Sequence, residues 1–185
     1  MASKLLSLGV SPSLILWIIS FLVNRTQYVR FDEAISSIRS TSTGSPQGTV
    51  LSPILFTIYT NDCVGNNLSL LVKYSDDSAI VDLSNCHLSY VTEVTKFSEW
   101  CNDNFLELNV KKTKELVVDF RKNVLEPIPD LFIGDQKVER VDEYKYLGTI
   151  IDRNLNFESN TKAINKKCQS RIYCLQKLRY LSMKK

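Results

Sequence analysis

The chain has 185 residues, 44% of them hydrophobic, which suits one folded domain with a sizeable core. Its formal net charge is +3, and its single histidine, His87, excludes a two-histidine iron site. The five cysteines form no C-x-x-C pair and are odd in number. This pattern favours reduced thiols in an intracellular protein, nuclear or cytoplasmic and not secreted.

The first predicted element is a helix that starts at Ser11-Pro12-Ser13 and continues through the apolar run Leu14–Val23. Serine followed by proline is typical of a helix start. The run has ten residues, about half of what a membrane-spanning helix requires. We therefore predict a buried core helix and no membrane partner.

A loop with two glycines and a proline, Gly44–Gly48, leads into the apolar run Val50–Tyr59. Ser52-Pro53 predicts an N-cap followed by the first helical residue. Gly48 allows a ligand to approach the backbone closely, and the helix beyond it presents its positive end. Gln47 can hydrogen-bond a nucleotide or a template base. Taken alone, such a loop is weak evidence for a site.

Two adjacent acids, Asp76 and Asp77, lie between Leu70–Tyr74 and Ala79–Leu83, which have the composition of strands. The pattern predicts a β-hairpin with the acids at its tip. Paired carboxylates can hold hard divalent cations, and paired metal ions drive nucleotidyl transfer. A solvated turn is the alternative, because aspartate is a common turn residue.

The remaining core elements mix helix and strand. One helix face is marked by Val91, Val94, Phe97 and Cys101, and we expect it to pack behind the Asp76–Asp77 hairpin. Leu116–Phe120 predicts a strand, and Leu131–Ile133 is expected to pair with Val138 across Gly134-Asp135. The order predicts an α+β fold, an antiparallel sheet backed by helices on one face and open to substrate on the other.

Residues 160–185 hold eight of the 23 basic residues and no acidic residue. Apolar side chains recur there at helical spacing, at Ile164, Cys168, Ile172, Leu175 and Leu178. The pattern predicts an amphipathic helix whose basic face carries Lys162, Lys166, Lys167, Arg171, Lys177 and Arg179. Such a face can bind nucleic-acid phosphates, but a solvated helix that only packs on the domain is equally compatible with it.

Together these motifs resemble the reverse transcriptases of non-LTR (LINE-type) retrotransposons. Gly44-Ser45-Pro46-Gln47-Gly48 followed by Leu51–Phe56 resembles the motif that positions template and nucleotide. Tyr74-Ser75-Asp76-Asp77 resembles the metal-binding Tyr/Phe-x-Asp-Asp box. Leu108-Asn109 with Lys112-Thr113 resembles the motif whose lysine lies near the incoming triphosphate. Tyr146-Leu147-Gly148 resembles the hairpin that grips the primer terminus.

The resemblance implies a right-hand polymerase fold, with residues 1–153 as a partial palm and residues 154–185 as the start of the thumb. It implies catalytic roles for Asp76, Asp77 and Lys112, with Mg²⁺ or Mn²⁺ on the two aspartates. It implies that template, primer and nucleotide are contacted by eight residues: Ser45, Pro46, Gln47, Gly48, Tyr74, Tyr146, Leu147 and Gly148. The partners implied are an RNA template, a DNA primer and dNTP, with the basic helix along the duplex.

Several of these residues also have an ordinary structural interpretation. Lys112 belongs to a cluster of lysines that can simply be solvated, and Tyr144 and Tyr146 can be ordinary strand residues. Tyr74 is expected to brace the hairpin rather than to contact substrate.

The resemblance also implies a third catalytic carboxylate, on a strand expected just before Lys4 and therefore outside this chain, together with the fingers. Asp32 and Glu33 are the acids that precede Gly44. We therefore expect a truncated fragment with weakened metal binding and no useful polymerase activity by itself, which a missing N-terminal portion or another chain could complete. The alternatives are a non-catalytic module that binds RNA or an RNA–DNA hybrid, and a retrotransposon relic without selected function.

Overall fold

The structure, a computed structural model, describes residues 1–65, 69–84, 86–120 and 128–181. The described chain divides into two compact units, Met1–Leu83 and Ser84–Lys185. Helices and short strands occur in both units, so the α+β class is confirmed.

Three helices form the core of the first unit: α1 (Ala2–Ser7), α2 (Pro12–Leu22) and α3 (Leu51–Tyr59). They bury one cluster of aliphatic side chains, consisting of Leu5, Ile15, Ile18 and Leu55. Removal of this apolar surface from water is the main force that holds the three helices together. The core thus packs α3, the helix that follows Gly44–Gly48, against α1 and α2 through Leu55.

The prediction that α2 is a buried core helix is only partly right. The helix begins where expected, with proline at its first position, and it buries Ile15 and Ile18. Leu16 and Trp17, however, are 71% and 56% exposed. An apolar run of helical length has side chains all around the helix, and only one stripe of them meets α1 and α3. In the described residues, no helix is long and apolar enough to span a membrane.

The strands of the first unit form antiparallel hairpins. β1 (Arg25–Gln27) pairs with β4 (Arg39–Thr41), and between them β2 (Arg30–Phe31) pairs with β3 (Ala34–Ile35). Residues 25–41, here called the arm, have exposed side chains from residue 26 to residue 40. β5 (Ser69–Tyr74) pairs with β6 (Asp77–Asp82), and this pair is here called the acidic hairpin.

Helix α3 begins two residues earlier than predicted. Its N-cap is Val50, so Ser52 and Pro53 are the second and third helical residues rather than the cap and the first. The hydroxyl of Thr49 accepts a hydrogen bond from the backbone N–H of Ser52 at 3.3 Å. Thr49 therefore supplies the capping interaction that was assigned to Ser52.

The second unit has two helices, α4 (His87–Asp103) and α5 (Glu158–Tyr180). Its strands pair as β7 (Lys114–Leu116) with β10 (Glu139–Val141), β8 (Phe132–Ile133) with β9 (Gln136–Lys137), and β11 (Glu143–Tyr146) with β12 (Thr149–Asp152). The first of these pairs is parallel and the other two are antiparallel. The pair β11–β12 is here called the Tyr146 hairpin.

The strand predictions for this unit had mixed outcomes. The pairing across Gly134-Asp135 is confirmed, and the N–H of Val138 donates to the carbonyl oxygen of Leu131 at 2.9 Å. The strand predicted over Leu116–Phe120 is wrong beyond its first residue, because β7 ends at Leu116.

A buried ion pair links β7 to its parallel partner β10. Glu115 is 4% exposed, and its carboxylate accepts a hydrogen bond from Nε of Arg140 at 2.8 Å. The same guanidinium donates to the carbonyl oxygens of Ile128 and Pro129 at 3.0 and 2.6 Å. A buried carboxylate requires a cationic partner. The register that places Arg140 opposite Glu115 meets this requirement.

The predicted single antiparallel sheet does not form within the ranges that the structure describes. Six separate two-stranded sheets are present, five antiparallel and one parallel. Val94 and Cys101 of α4 are buried as predicted, and α4 contacts β8. Its packing behind the acidic hairpin stays a prediction, because the hairpin belongs to the other unit. The division at residues 153 and 154 also stays a prediction.

Candidate functional site

The loop Gly44–Gly48, here called the glycine loop, presents its middle to solvent. Ser45, Gln47 and Gly48 are exposed, and Pro46 is half-buried. Gly44 and Gly48 have φ values of +65° and +76°, and a Cβ built at either would meet no atom within 4 Å. The glycines are therefore needed for backbone conformation rather than for space.

Side chains hold this loop at its start and in its middle. At its start, Nη2 of Arg25 donates to the carbonyl oxygens of Thr43 and Gly44 at 2.7 and 2.9 Å. In its middle, the carbonyl oxygen of Pro46 accepts hydrogen bonds from the hydroxyls of Ser52 at 2.5 Å and Thr49 at 3.2 Å. These contacts restrict the backbone on both sides of Ser45.

The acidic hairpin has a two-residue turn. Tyr74 pairs with Asp77, so Ser75 and Asp76 form the turn and Asp77 is the first residue of β6. Ser75 has a φ of 54°, and a positive φ at the first turn residue is typical of the primed turns that close two-residue hairpins. The predicted hairpin is therefore present, with only one of its two acids in the turn itself.

The carboxylates of Asp76 and Asp77 are exposed. No other side chain or backbone group of the described residues forms a hydrogen bond or ion pair with either carboxylate. Exposed carboxylates without competing donors fit the preference of Mg²⁺ and Mn²⁺ for oxygen ligands. Two carboxylates supply only part of an octahedral shell, and waters and nucleotide phosphates would have to supply the rest.

No group of three or more His, Cys, Asp or Glu side chains that could hold a metal ion occurs among the described residues. The acids that precede the glycine loop, Asp32 and Glu33, form the two-residue turn between β2 and β3 at the tip of the arm. Both side chains are exposed there.

Helix α3 connects the glycine loop to the acidic hairpin. The loop leads into its N-terminal end, and at its C-terminal end Nζ of Lys73, a residue of β5, donates to the carbonyl oxygen of Thr60 at 2.6 Å. Nζ of Lys4 donates to the carbonyl oxygen of Tyr59 at 2.6 Å and also lies 2.7 Å from the Asp62 carboxylate. Cations at the C-terminal end of a helix compensate its free carbonyl groups.

A buried cysteine lies beside this contact. The carbonyl oxygen of Cys63 accepts a second hydrogen bond from Lys73 at 2.7 Å. Burial raises the pKa of the Cys63 thiol, although the nearby Lys73 ammonium acts in the opposite direction. The thiol is therefore protonated at neutral pH and acts as a small apolar side chain.

In the second unit, Lys112 is exposed in a turn whose hydrogen bonds are accepted by Asn109. The N–H of Lys112 donates to the backbone and side-chain oxygens of Asn109 at 3.0 and 3.2 Å. The hydroxyl of Thr113 donates to the Asn109 carbonyl oxygen at 3.0 Å. The residues Leu108-Asn109 and Lys112-Thr113 thus form one local turn that directs Lys112 to solvent.

The Tyr146 hairpin closes through Leu147 and Gly148, whose φ values of 47° and 93° are both positive. Two positive φ values in a two-residue loop are typical of a type I′ turn. Leucine rarely adopts this conformation, and Leu147 is 48% exposed at the tip. Tyr146 itself is half-buried.

The connection from this hairpin to α5 is built around Asp152. Its carboxylate accepts the N–H groups of Asn154, Asn156 and Phe157 at 3.0, 3.3 and 2.9 Å. Desolvation acts to raise the pKa of Asp152, but these backbone donors outweigh it and lower the pKa below its ordinary value.

Helix α5 has no buried residue. Its predicted basic side chains are all exposed, at Lys162, Lys166, Lys167, Arg171, Lys177 and Arg179. Lys162 pairs with Glu158 at 3.4 Å, and Nζ of Lys177 lies 5.6 Å from the ring centre of Tyr173. The helix thus presents basic side chains to solvent, as an electrostatic nucleic-acid surface requires.

The structure brings the glycine loop and the acidic hairpin into one unit, and the Lys112 turn, the Tyr146 hairpin and α5 into the other. Sequence reasoning missed Arg25 and Lys73. Neither belongs to a motif, and each acts on a carbonyl group more than ten residues away in the chain. No local pattern marks such contacts.

Three comparisons with known proteins bear on this site. A family model described as reverse transcriptase (RNA-dependent DNA polymerase) matches residues 2–151. The chain is 29% identical over 175 residues to the RNA-directed DNA polymerase from mobile element jockey of Drosophila funebris, an alignment of 88% of this chain and 19% of that protein. No solved structure matches.

Two relatives from Drosophila melanogaster give the same result. The chain is 30% identical over 179 residues to the probable RNA-directed DNA polymerase from transposon BS, covering 90% of this chain and 19% of that protein. It is 27% identical over 162 residues to the probable RNA-directed DNA polymerase from transposon X-element, covering 83% of this chain and 18% of that protein. The chain therefore spans about one fifth of the length of these curated relatives.

Proposed function

This chain belongs to the reverse transcriptase (RNA-dependent DNA polymerase) family, as its motifs predicted, and we propose that it forms part of the polymerase domain of a non-LTR retrotransposon protein. The reaction of that domain is synthesis of DNA on an RNA template. The observation that carries the proposal is the joint presence of the glycine loop and the acidic hairpin at the two ends of α3.

The aspartates of the acidic hairpin have the metal-binding role in this proposal. Asp76 and Asp77 offer exposed carboxylate oxygens without competing donors from the described residues. Mg²⁺ or Mn²⁺ held there would activate the primer hydroxyl and neutralise charge on the transferred phosphoryl group. The hairpin keeps the two carboxylates adjacent, and the strand pairing of Tyr74 with Asp77 closes it.

The glycine loop has the substrate-positioning role. Its exposed residues Ser45, Gln47 and Gly48 are available to contact a template base or a nucleotide, and Pro46 is anchored beneath them. Because Gly44 and Pro46 are hydrogen-bonded to neighbouring residues, less ordering entropy opposes binding at this loop. Gln47 supplies the amide that can hydrogen-bond a base edge.

The second unit contributes the contacts to primer and duplex. Lys112 is proposed to lie near the nucleotide triphosphate, where its ammonium can hold and protonate the pyrophosphate that leaves. Tyr146, Leu147 and Gly148 form the tip of a hairpin suited to contact the primer terminus. The basic side chains of α5 are proposed to follow the phosphates of the RNA–DNA duplex.

We expect no primer extension by this chain alone. Two adjacent carboxylates from one turn supply few of the oxygen ligands that two Mg²⁺ ions require. The family resemblance implies a third carboxylate from a separate strand, and Asp32 and Glu33 lie instead in an exposed turn of the arm. A further portion of the protein or another chain would have to complete the site.

Binding of an RNA–DNA hybrid without chemistry is the second candidate for this chain by itself. It is favoured by α5, whose basic residues are exposed along 23 helical residues. Binding of this kind needs only phosphate contacts and does not depend on a completed metal site.

Primer extension on an RNA template, with Mg²⁺ and with Mn²⁺, tests both candidates. The wild-type chain is compared with Asp76→Asn/Asp77→Asn and with the matched control Asp32→Asn/Glu33→Gln, which removes the two acids at the tip of the arm. Binding of a labelled RNA–DNA hybrid is measured in parallel, on protein whose cooperative unfolding shows that it is folded.

The expected result is salt-dependent hybrid binding without incorporation by any of the three proteins. Incorporation that Asp76→Asn/Asp77→Asn abolishes and the control retains would show that the chain is a polymerase by itself, which contradicts the proposed inactivity. If the chain shows no hybrid binding and no incorporation, it has no nucleic-acid role of the proposed kind, and the relic interpretation remains.

A further inference from the structure

One arginine joins three separate carbonyl groups around the glycine loop. Arg25 is the first residue of β1 and pairs with Thr41 at the base of the arm. Its Nη2 donates to the carbonyl oxygens of Thr43 and Gly44 at 2.7 and 2.9 Å, and its Nε donates to the carbonyl oxygen of Leu22 at 3.0 Å. The guanidinium thus bridges α2 and the first residue of the loop.

The bridge reaches from the loop to the core of the first unit. Leu22 is the last residue of α2, so its carbonyl group has no partner within the helix and is available to a cation. The same helix buries Ile15 and Ile18 against Leu55 of α3. The start of the glycine loop is therefore tied to an element that packs firmly against the helix that the loop enters.

Arginine suits this position because of its shape. Its planar group presents five N–H donors in a rigid fork, whereas a lysine ammonium is a compact point charge on a flexible stem. Three directed hydrogen bonds from Arg25 go to backbone oxygens, so most of its donors are not available to a phosphate. This use of the side chain indicates a role in holding the backbone rather than in contacting nucleic acid.

We propose that Arg25 is a positioning residue that holds the glycine loop in the conformation in which it contacts the template–primer. The proposal rests on the proposed function of the loop. Arg25 fixes Gly44, whose φ of +65° sets the direction of the loop, while Ser52 and Thr49 fix Pro46. Loss of Arg25 leaves the second anchor intact and frees the first.

Two variants and one control test this role. Arg25→Gln removes the fork, and Arg25→Lys keeps the charge but cannot reach three carbonyl groups at once. The control Arg39→Gln makes the same charge change in the same arm, at an exposed side chain that forms no hydrogen bond with the residues that the structure describes.

The first measurement is ¹⁵N NMR relaxation of the backbone amides of Gly44 and Ser45, which belong to the two peptide groups whose carbonyl oxygens Arg25 bonds. We expect order parameters near the rigid value of about 0.85 in the wild type and in Arg39→Gln, falling toward about 0.6 in both Arg25 variants. The amide of Gly134, in a turn of the other unit, serves as an internal reference. A loop that is already mobile in the wild type, or equally rigid in the Arg25 variants, would overturn the proposal.

The second measurement is the affinity for a labelled RNA–DNA hybrid as a function of salt. A positioning role predicts roughly fivefold weaker binding for both Arg25 variants with an unchanged salt slope, whereas loss of a direct phosphate contact lowers the slope by about one. Lysine would preserve a phosphate contact, so full rescue by Arg25→Lys contradicts the positioning role. If the wild type binds no hybrid, the proposed function fails, and the relaxation data still decide whether Arg25 holds the loop.

Discussion

The ammonium group of Lys73 lies 2.6 Å from the carbonyl oxygen of Thr60 and joins the acidic hairpin to the C-terminal end of α3. The same group donates to the carbonyl oxygen of Cys63 at 2.7 Å. Lys73 precedes Asp76 by three residues in the chain. The strand that leads to Asp76 and Asp77 is therefore bonded directly to α3, the helix that follows the glycine loop.

Replacement of Lys73 by methionine should destabilise the first unit. Met keeps the length of the stem but leaves the carbonyl groups of Thr60 and Cys63 without their donor. Hydrogen bonds to charged groups contribute about 1.5–3 kcal/mol, and partial exposure places the expected loss at roughly 1–2 kcal/mol. Urea denaturation at pH 7 measures it.

The matched control is Lys111→Met, which removes an exposed ammonium that bonds no described residue. Its effect should stay within about 0.5 kcal/mol. Equal destabilisation by the two variants would show that the Lys73 contacts do not contribute to stability.

Removal of the acidic pair should weaken divalent metal binding. In Asp76→Asn/Asp77→Asn the hard anionic oxygen ligands become neutral amides, so we expect at least about tenfold weaker Mn²⁺ binding. Electron paramagnetic resonance of free Mn²⁺ measures the change. The variant Asp32→Asn/Glu33→Gln removes another adjacent acidic pair from a hairpin tip and should bind as the wild type does. Retained Mn²⁺ binding by the first variant would place the metal site elsewhere.

The core under the glycine loop should be sensitive to truncation of Leu55. This side chain is 2% exposed and packs with Leu5, Ile15 and Ile18. Leu55→Ala removes apolar contacts and leaves a cavity, at a cost of about 2–5 kcal/mol. The neighbouring Ile54 is 51% exposed, and Ile54→Ala should cost under about 1 kcal/mol. Thermal unfolding of the two variants measures these losses of stability. A similar loss from Leu55→Ala and Ile54→Ala would contradict the burial of Leu55 in this core.

Stability should depend on pH through Asp152. Because backbone donors lower the folded pKa of Asp152, its charged form stabilises the fold. That contribution is complete above the unfolded pKa of about 3.9 and is lost as the pH falls below it, through the lower folded pKa. Asp152→Asn should therefore be less stable than the wild type at pH 7, and the difference should shrink toward pH 3.

Urea denaturation across this pH range gives the comparison. The control is Asp135→Asn, a substitution in the exposed turn between β8 and β9. A stability difference between wild type and Asp152→Asn that stays constant from pH 7 to about pH 3 would exclude the charge of Asp152 as its cause.

Charge on α5 should set the salt dependence of hybrid binding. Lys166 and Lys167 are exposed, so Lys166→Gln/Lys167→Gln should lower the slope of log K against log salt by up to about two. The control Lys96→Gln/Lys137→Gln removes two lysines that already pair with Glu93 and Asp130, and its slope should match the wild type. An unchanged slope in the α5 variant would leave that helix without a role in duplex binding.

The sequence by itself determined the elements that local chemistry specifies. The two strands around Asp76 and Asp77 and the helix with basic side chains near the C-terminus are both present. Each depends on residues adjacent in the chain, because turn residues and hydrophobic period act within a few positions. The motifs and their order also identified the family.

Sequence reasoning failed where distant residues decide the outcome. The strand expected over Leu116–Phe120 ends at Leu116, and its partner is the parallel strand that places Arg140 beside the buried Glu115. Helix α3 begins at Leu51 rather than at Pro53, and the hydroxyl of Ser52 bonds to the carbonyl oxygen of Pro46, six residues earlier, instead of capping the helix.

Only the tertiary structure decided which side chains hold the site. Arg25 reaches Gly44 across 19 positions, and Lys73 reaches Thr60 across 13. A free carbonyl group accepts a hydrogen bond from any donor that the fold places near it. No periodicity along the chain predicts such a contact between distant residues. The sequence therefore specified the motif residues of the proposed site, and the packing of α2, α3 and the hairpins determined which side chains hold them.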